Sequence, residues 1–194
     1  MAVGHKLNTR RIGQAIVDRI RTELGAASDD PLGQLVVYQF GNVRSLPAPE
    51  TMASELPALY VVSEGVKLQI ADSDTPIPVR AVVPIYKAIY LMRQPDGPAE
   101  EEDQDDYLNP DELMTDCLDA IAELFLNSID MPLPELAAGP TNIADRGVSI
   151  KWCMPTSIDP EDPINAVFDV EELRVSAGSV TLEVSTHNQQ AEQS

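Results

Sequence analysis

Histidine is nearly missing from this 194-residue chain: His5 and His187 are the only two, and both lie near an end. Triads and zinc sites that need a preorganised imidazole therefore have no anchor. Cysteine is as scarce, with Cys117 and Cys153 far apart and without paired spacing, which points to buried, reduced thiols and away from a disulfide or a metal knuckle. Aromatic residues make up 5%, little support for a sugar cleft with ring platforms. No stretch approaches the ~18 consecutive apolar residues of a membrane span, and residues 1–11 lack the apolar core of a signal peptide. The expectation is a protein that is made and stays in the cytoplasm, or in something assembled there. A Walker A loop, a G-x-G-x-x-G turn, H-E-x-x-H and G-x-S-x-G are all missing, so nucleotide and acyl-transfer chemistry lose their usual anchors. Positive charge is short as well. Against 32 Asp and Glu stand 13 Lys and Arg, a formal net charge of -19 that repels a phosphate backbone over most of the surface.

What is present is ordinary for a globular protein: 43% hydrophobic and 23% charged residues, with 16 prolines that imply many loops. The length suits one domain over residues 1–194, with an acidic loop at 94–108 and a disordered tail at 187–194. In residues 9–24, Ile12, Ala15, Ile16, Ile20 and Leu24 recur at helical spacing, with Asn8 as N-cap and Gly25 as stop. Its other face carries Arg10, Arg11, Arg19 and Arg21, in the only basic region of an acidic chain. Residues 34–40 (QLVVYQF) form a buried strand between glycines. After a proline-rich stretch at 46–57, residues 58–63 and 66–71 predict a hairpin about a Glu64-Gly65 turn. Residues 79–92 form a strand long enough to cross a sheet, with Pro84 marking an edge or a bulge.

A polar run follows, in which Glu100, Glu101, Glu102, Asp103, Asp105 and Asp106 repel one another and should keep the loop extended. Asn109-Pro110-Asp111-Glu112 then opens a second helix with a cap, a proline at N1 and a glutamate at N3. Met114, Cys117, Leu118, Ile121, Leu124 and Phe125 are its apolar stripe, and it ends near Asn127. The last third is β in character, with strands at 147–154, 165–176 and 179–186. The last two are joined tightly at Ala177-Gly178, and a bulge is expected near Glu171-Glu172. The fold class is thus α+β: a twisted, mainly antiparallel sheet with two principal helices packed on one face and edge strands free for neighbours.

Of the carboxylate groups, 159–162 and 103–106 could meet a hard cation, but neither has the spacing of a calcium loop, and solvated acidic loops are the simpler reading. The basic helix invites a membrane or nucleic-acid role. In so acidic a chain it is better explained as a core-packing helix whose arginines meet acidic surfaces on the same or a neighbouring subunit.

The opening LNTRRIGQAIVDRIRTEL, the middle helix NPDELMTDCLDAIAELFLNS and the closing FDVEELRVSAG and SVTLEVSTHN, in that order, resemble the tail terminator and related neck proteins of long-tailed bacteriophages over residues 7–186. The resemblance implies a hexameric ring on the last ring of the tail tube, which stops tube (and sheath) growth and joins the tail to the head-neck connector. It implies a virion protein of the tail-neck junction, assembled in the host cytoplasm. Genomic DNA would pass without specific binding through a channel lined by acidic groups such as Glu100 to Asp106. No catalysis, cofactor, metal or membrane partner is implied. Arg10, Arg11, Arg19 and Arg21, with Val180, Leu182 and Val184 of the last strand, are the expected subunit interface, and the long loops at 46–57 and 94–106 are expected to reach the tube or the connector. Competing readings are a connector or tube-initiation subunit, an acidic protein-interaction module outside phages, and an enzyme built on carboxylates.

Overall fold

The structure, a computed structural model, describes residues 9–24, 35–70, 79–93, 110–126, 148–167 and 174–188. In chain order these form α1 (Thr9–Glu23), β1 (Val36–Phe40), a 3-10 turn (Val43–Ser45), the short α2 (Pro49–Ala53), β2 (Ala58–Ile70) and β3 (Val79–Arg93). Then come α3 (Pro110–Leu126), β4 (Val148–Asp159), a second 3-10 turn (Pro163–Val167) and β5 (Val175–Asn188). The five strands make one sheet in the order β1-β2-β3-β5-β4. Among the described residues only β1 and β2 pair in parallel and the other three pairings are antiparallel, so the fold is α+β with a mixed, mainly antiparallel sheet.

Strand alternation sorts the apolar side chains into two clusters. In the larger, Ile12, Ile16 and Ile20 of α1 and Met114, Leu118, Ile121 and Phe125 of α3 meet Leu59, Val61, Tyr86, Ala88, Val180 and Leu182 of the sheet. In the smaller, Met52 and Ala53 of α2 and Ile164 meet the alternate residues Ala58, Tyr60, Val62, Ile89, Leu91 and Ala177. Chain connectivity explains the division. β1 and β2 are parallel and joined through α2, while β3 and β4, both antiparallel to β5, are parallel to each other and joined through α3. Both connections cross the sheet in the same sense between strands of opposite direction. The right-handed preference for such crossovers therefore sends α2 and α3 to opposite sides.

Two expected turns are absent, and each has a physical cause. Glu64-Gly65 is not a hairpin turn: β2 runs unbroken through it, and the register slips between Ser63 and Gly65, leaving Glu64 as the extra residue of a bulge. Gly65 has φ +120, a conformation that glycine takes without a Cβ clash and that serves a bulge as well as a turn. Ala177-Gly178 is not a turn either, since β5 passes straight through it with Gly178 opposite Tyr90. A Cβ on Gly178 would lie 2.7 Å from Leu118 Cδ1 and 2.8 Å from Met114 Sδ, so this glycine lets α3 settle close to the sheet. The segment expected as a strand at 165–176 instead holds the second 3-10 turn and the start of β5, while residues 168–173, with the bulge expected at Glu171-Glu172, lie outside the described residues. The disordered tail was expected from 187, but β5 continues to Asn188, held by pairing with Val148.

Pro84 decides the outline of the sheet. The β3–β5 ladder begins at Ile85, one residue after the proline, and the β1–β2 ladder ends at Val62. Beyond those points β2 and β3 pair only with each other, from Gly65 to Ile70 and from Val79 to Pro84, among the described residues. This two-stranded ribbon continues for about 20 Å at the usual strand rise. On the other side of the gap β5 pairs, among the described residues, with β4 alone beyond Glu183. The sheet is forked, and the expectation that Pro84 marks an edge holds locally, inside what is otherwise the central strand.

Candidate functional site

Polar side chains gather at the base of the fork. Lys87 interrupts the apolar run of β3, and its Nζ lies 2.8 Å from Asp162 Oδ2 and 3.8 Å from Glu64 Oε1 of the bulge. Asp162 follows β4 and is 4% exposed; its Oδ1 accepts a 2.9 Å hydrogen bond from the Ile164 amide, and its own amide donates to Ala177 O. Burial alone would raise the Asp162 carboxyl, but the Lys87 ammonium and the Ile164 amide outweigh it and hold the group below the ordinary carboxylate range. Burial likewise opposes the charge on Lys87, and Asp162, with Glu64 and Asp159, more than restores it, so the amine stays protonated above the ordinary lysine range. A lysine held in this state is neither a nucleophile nor a base near neutral pH. A second pair, Lys67 Nζ to Glu183 Oε1 at 3.1 Å, ties β2 to β5 across β3 beside the fork.

The network corrects the reading of 159–162 as a solvated acidic loop. Asp162 is a buried ion-pair partner, and Asp159 turns back to accept from the Glu161 amide at 3.2 Å. Among the described residues no group of three or more metal-type side chains occurs. Neither Lys87 nor Lys67 was identified from the sequence, although a lone lysine inside VVPIYKAIYLM is itself a signal, because a charge in a central strand needs a partner. Cys117 and Cys153 are both buried and not joined in a disulfide, and burial pushes the Cys153 thiol up to about 12, which keeps it unreactive.

The expected interface residues separate into two groups. Val180, Leu182 and Val184 are fully buried in the larger core cluster, the first two where β5 is flanked by both β3 and β4 and Val184 one residue past the last β3 pair. They have no surface to give a neighbour, and that assignment is corrected: β4, not β5, is the edge. In the stretch at 46–57, α2 buries Met52 and Ala53 against the sheet and leaves Glu50, Thr51, Ser54 and Glu55 exposed. On α1, Arg10 is exposed, and its carbonyl accepts from Gln39 Nε2. Arg19 pairs with Glu23 at 3.1 Å, and Arg21 donates to Val37 O of the edge strand β1. The Arg11 side chain and Glu100, Glu101, Glu102, Asp103, Asp105 and Asp106 lie outside the described residues.

Both sheet edges discourage strand addition. β1 has five residues, and one of its carbonyls is taken by Arg21; β4 slips register twice and carries Pro155. The edges differ sharply in the helices beside them. α1 packs on β1 and β2, and α3 on β4 and β5. α3 contains no basic residue, and Glu112, Asp116, Asp119 and Glu123, all exposed, are spaced four, three and four residues apart. That spacing makes a continuous stripe of four carboxylates about 16 Å long. Among the described residues no lysine or arginine pairs with them. The exposed large apolar residues follow the same division: Val36 and Val43 belong to the β1 edge, Leu126 and Ile158 to α3 and the β4 edge, and Val66 to the ribbon.

The chain matches no protein-family model and no curated protein. No helix among the described residues is long and apolar enough to cross a membrane.

Proposed function

We propose that the chain is a structural subunit of a long-tailed phage virion, forming a hexameric ring that ends the tail tube and joins the tail to the head-neck connector. The observation that carries the reading is the element order. An amphipathic N-terminal helix, a strand, a long strand pair, an acidic run and a second helix follow one another. This order of the opening and middle elements supports the resemblance to the tail terminator and neck proteins, while the closing hairpin expected at 177–178 is a single strand. The net charge of -19 supports it physically, because acidic groups around a channel let DNA slide without adhering. In this role the subunit performs no chemistry: its partners are its own copies, the tube protein below and the connector above.

Light scattering across concentration and salt, followed by negative-stain imaging with and without tail tubes, tests the reading. A closed six-fold ring seated on tube ends is expected. A particle that stays at the 21.1 kDa of one chain, even when mixed with tubes, overturns it.

A further inference from the structure

The two flanks of the subunit are complementary to each other, and we propose that copies associate head to tail, with the arginine-bearing flank of α1 and β1 seated on the carboxylate stripe of α3 in the next copy. The proposal deepens the ring reading and rests on it. A repeated head-to-tail contact closes into a ring when its rotation allows, and it requires two different surfaces that fit one another.

Three observations supply those surfaces. The acidic stripe of Glu112, Asp116, Asp119 and Glu123 is exposed and without a cation among the described residues. Its like charges sit at i,i+3 and i,i+4, where they repel one another within the isolated helix. A cationic neighbour relieves that repulsion. Secondly, the N-terminal helix concentrates the chain's positive charge, with Arg10 and Arg11 near its start and Arg21 beside β1, over the opposite edge of the sheet from α3. Thirdly, exposed apolar residues mark both flanks, Val36 at β1 against Ile158 at β4 and Leu126 on α3. An apolar centre with charges of opposite sign around it is the composition of a side-chain contact between subunits. Continuation of the sheet from copy to copy is disfavoured, because Arg21 covers a β1 carbonyl while bulges and Pro155 break the β4 edge.

Charge reversal of each flank separately, and then of both in mixture, tests the pairing. One variant carries Arg10→Glu and Arg11→Glu; the other carries Asp116→Arg, Asp119→Arg and Glu123→Arg, and far-UV circular dichroism verifies that each is folded. Neutral versions, Arg10→Gln with Arg11→Gln and Asp119→Asn with Glu123→Gln, serve if a reversal unfolds the chain, and these should weaken assembly in the same direction. Native mass is measured for the full chain, with tail tubes present if assembly needs them. Each reversed variant alone should fall to the mass of one subunit. Mixed in equal amounts, they should regain the native particle, since each carries one original and one reversed flank and an even-membered ring can alternate them. Native-like assembly by either reversed variant alone, or a mixture that stays dissociated while the unaltered chain assembles, overturns the head-to-tail pairing and leaves the ring reading standing. Failure of the unaltered chain to assemble under any of these conditions overturns both.

Discussion

The two sides of the sheet are built on different principles. Under α1 and α3 the larger cluster is built from hydrophobic side chains, and the glycine at 178 brings a helix down onto the strands. Among the described residues the opposite side is covered by α2, the neighbouring Leu46 and Leu56, and the second 3-10 turn, and there an aromatic stack, in which Tyr38 lies 5.4 Å from Tyr60, sits alongside the Lys87–Asp162 pair. The first side gains its stability from area removed from water and from close packing. The second depends on mutual satisfaction of charges, which stabilises only while both partners are present.

Cutting into each side should expose that difference. On the apolar side, Leu118→Ala removes a fully buried side chain and should destabilise by about 2–5 kcal/mol in denaturant unfolding, with little dependence on pH. On the polar side, Asp162→Ala strands Lys87 and should lose about 3 kcal/mol, whereas Lys87→Met with Asp162→Leu should recover most of the loss. A double variant as unstable as Asp162→Ala would remove the distinction between the two sides. Gly178→Ala should destabilise by about 1–3 kcal/mol through its contact with Leu118 and Met114. In the background of Leu118→Ala, which vacates that space, the same change should be milder, a coupling visible in a double-mutant cycle.

The pH dependence separates the sides in a second way. Because the Asp162 carboxyl is held below its ordinary range, its contribution is complete above the unfolded carboxylate range and disappears as pH falls through the lower folded value. Lys87, held above its ordinary range, behaves oppositely: its contribution is present below the unfolded lysine range and is lost as pH rises through the higher folded value. Stability of the native chain should thus decline at both extremes, and the decline at acid pH should be shallower in the Lys87→Met, Asp162→Leu variant. The smallest effect belongs to Lys67→Ala. Its 3.1 Å pair with Glu183 leaves the lysine side chain 55% exposed, so the loss should stay within about 1 kcal/mol and shrink further in salt.

Helices were the more legible part of the sequence. Ile12, Ile16 and Ile20, and Met114, Leu118 and Phe125, carry a period that only a helix can bury on one side, and these residues are in the core. Strand boundaries were less so. Glu64-Gly65 and Ala177-Gly178 have the composition of turns, because the conformational freedom of glycine serves a turn, a bulge and a close helix approach alike. Nothing local distinguishes them; the choice follows from what lies opposite, Ile85 across from Gly65 and α3 above Gly178. The misassignment of Val180, Leu182 and Val184 has the same origin. Alternation shows that a strand has one buried side, but not whether that strand lies at the edge of the sheet or inside it.

The carboxylate stripe of α3 could have been found from the sequence, since four acids at spacings of four, three and four can only share one helical face. The Lys87–Asp162 pair could not, because 75 positions separate its members and only the β3–β5–β4 arrangement brings them together. By itself, then, the sequence determined the helices, the apolar periodicity of the strands, the excess of negative charge and the basic character of the N-terminal helix, all of which are local or compositional properties. Tertiary structure alone decided which strands are edges, where the sheet forks, which acid is buried, and that the basic and acidic helices stand over opposite edges, because each depends on contacts between residues far apart along the chain.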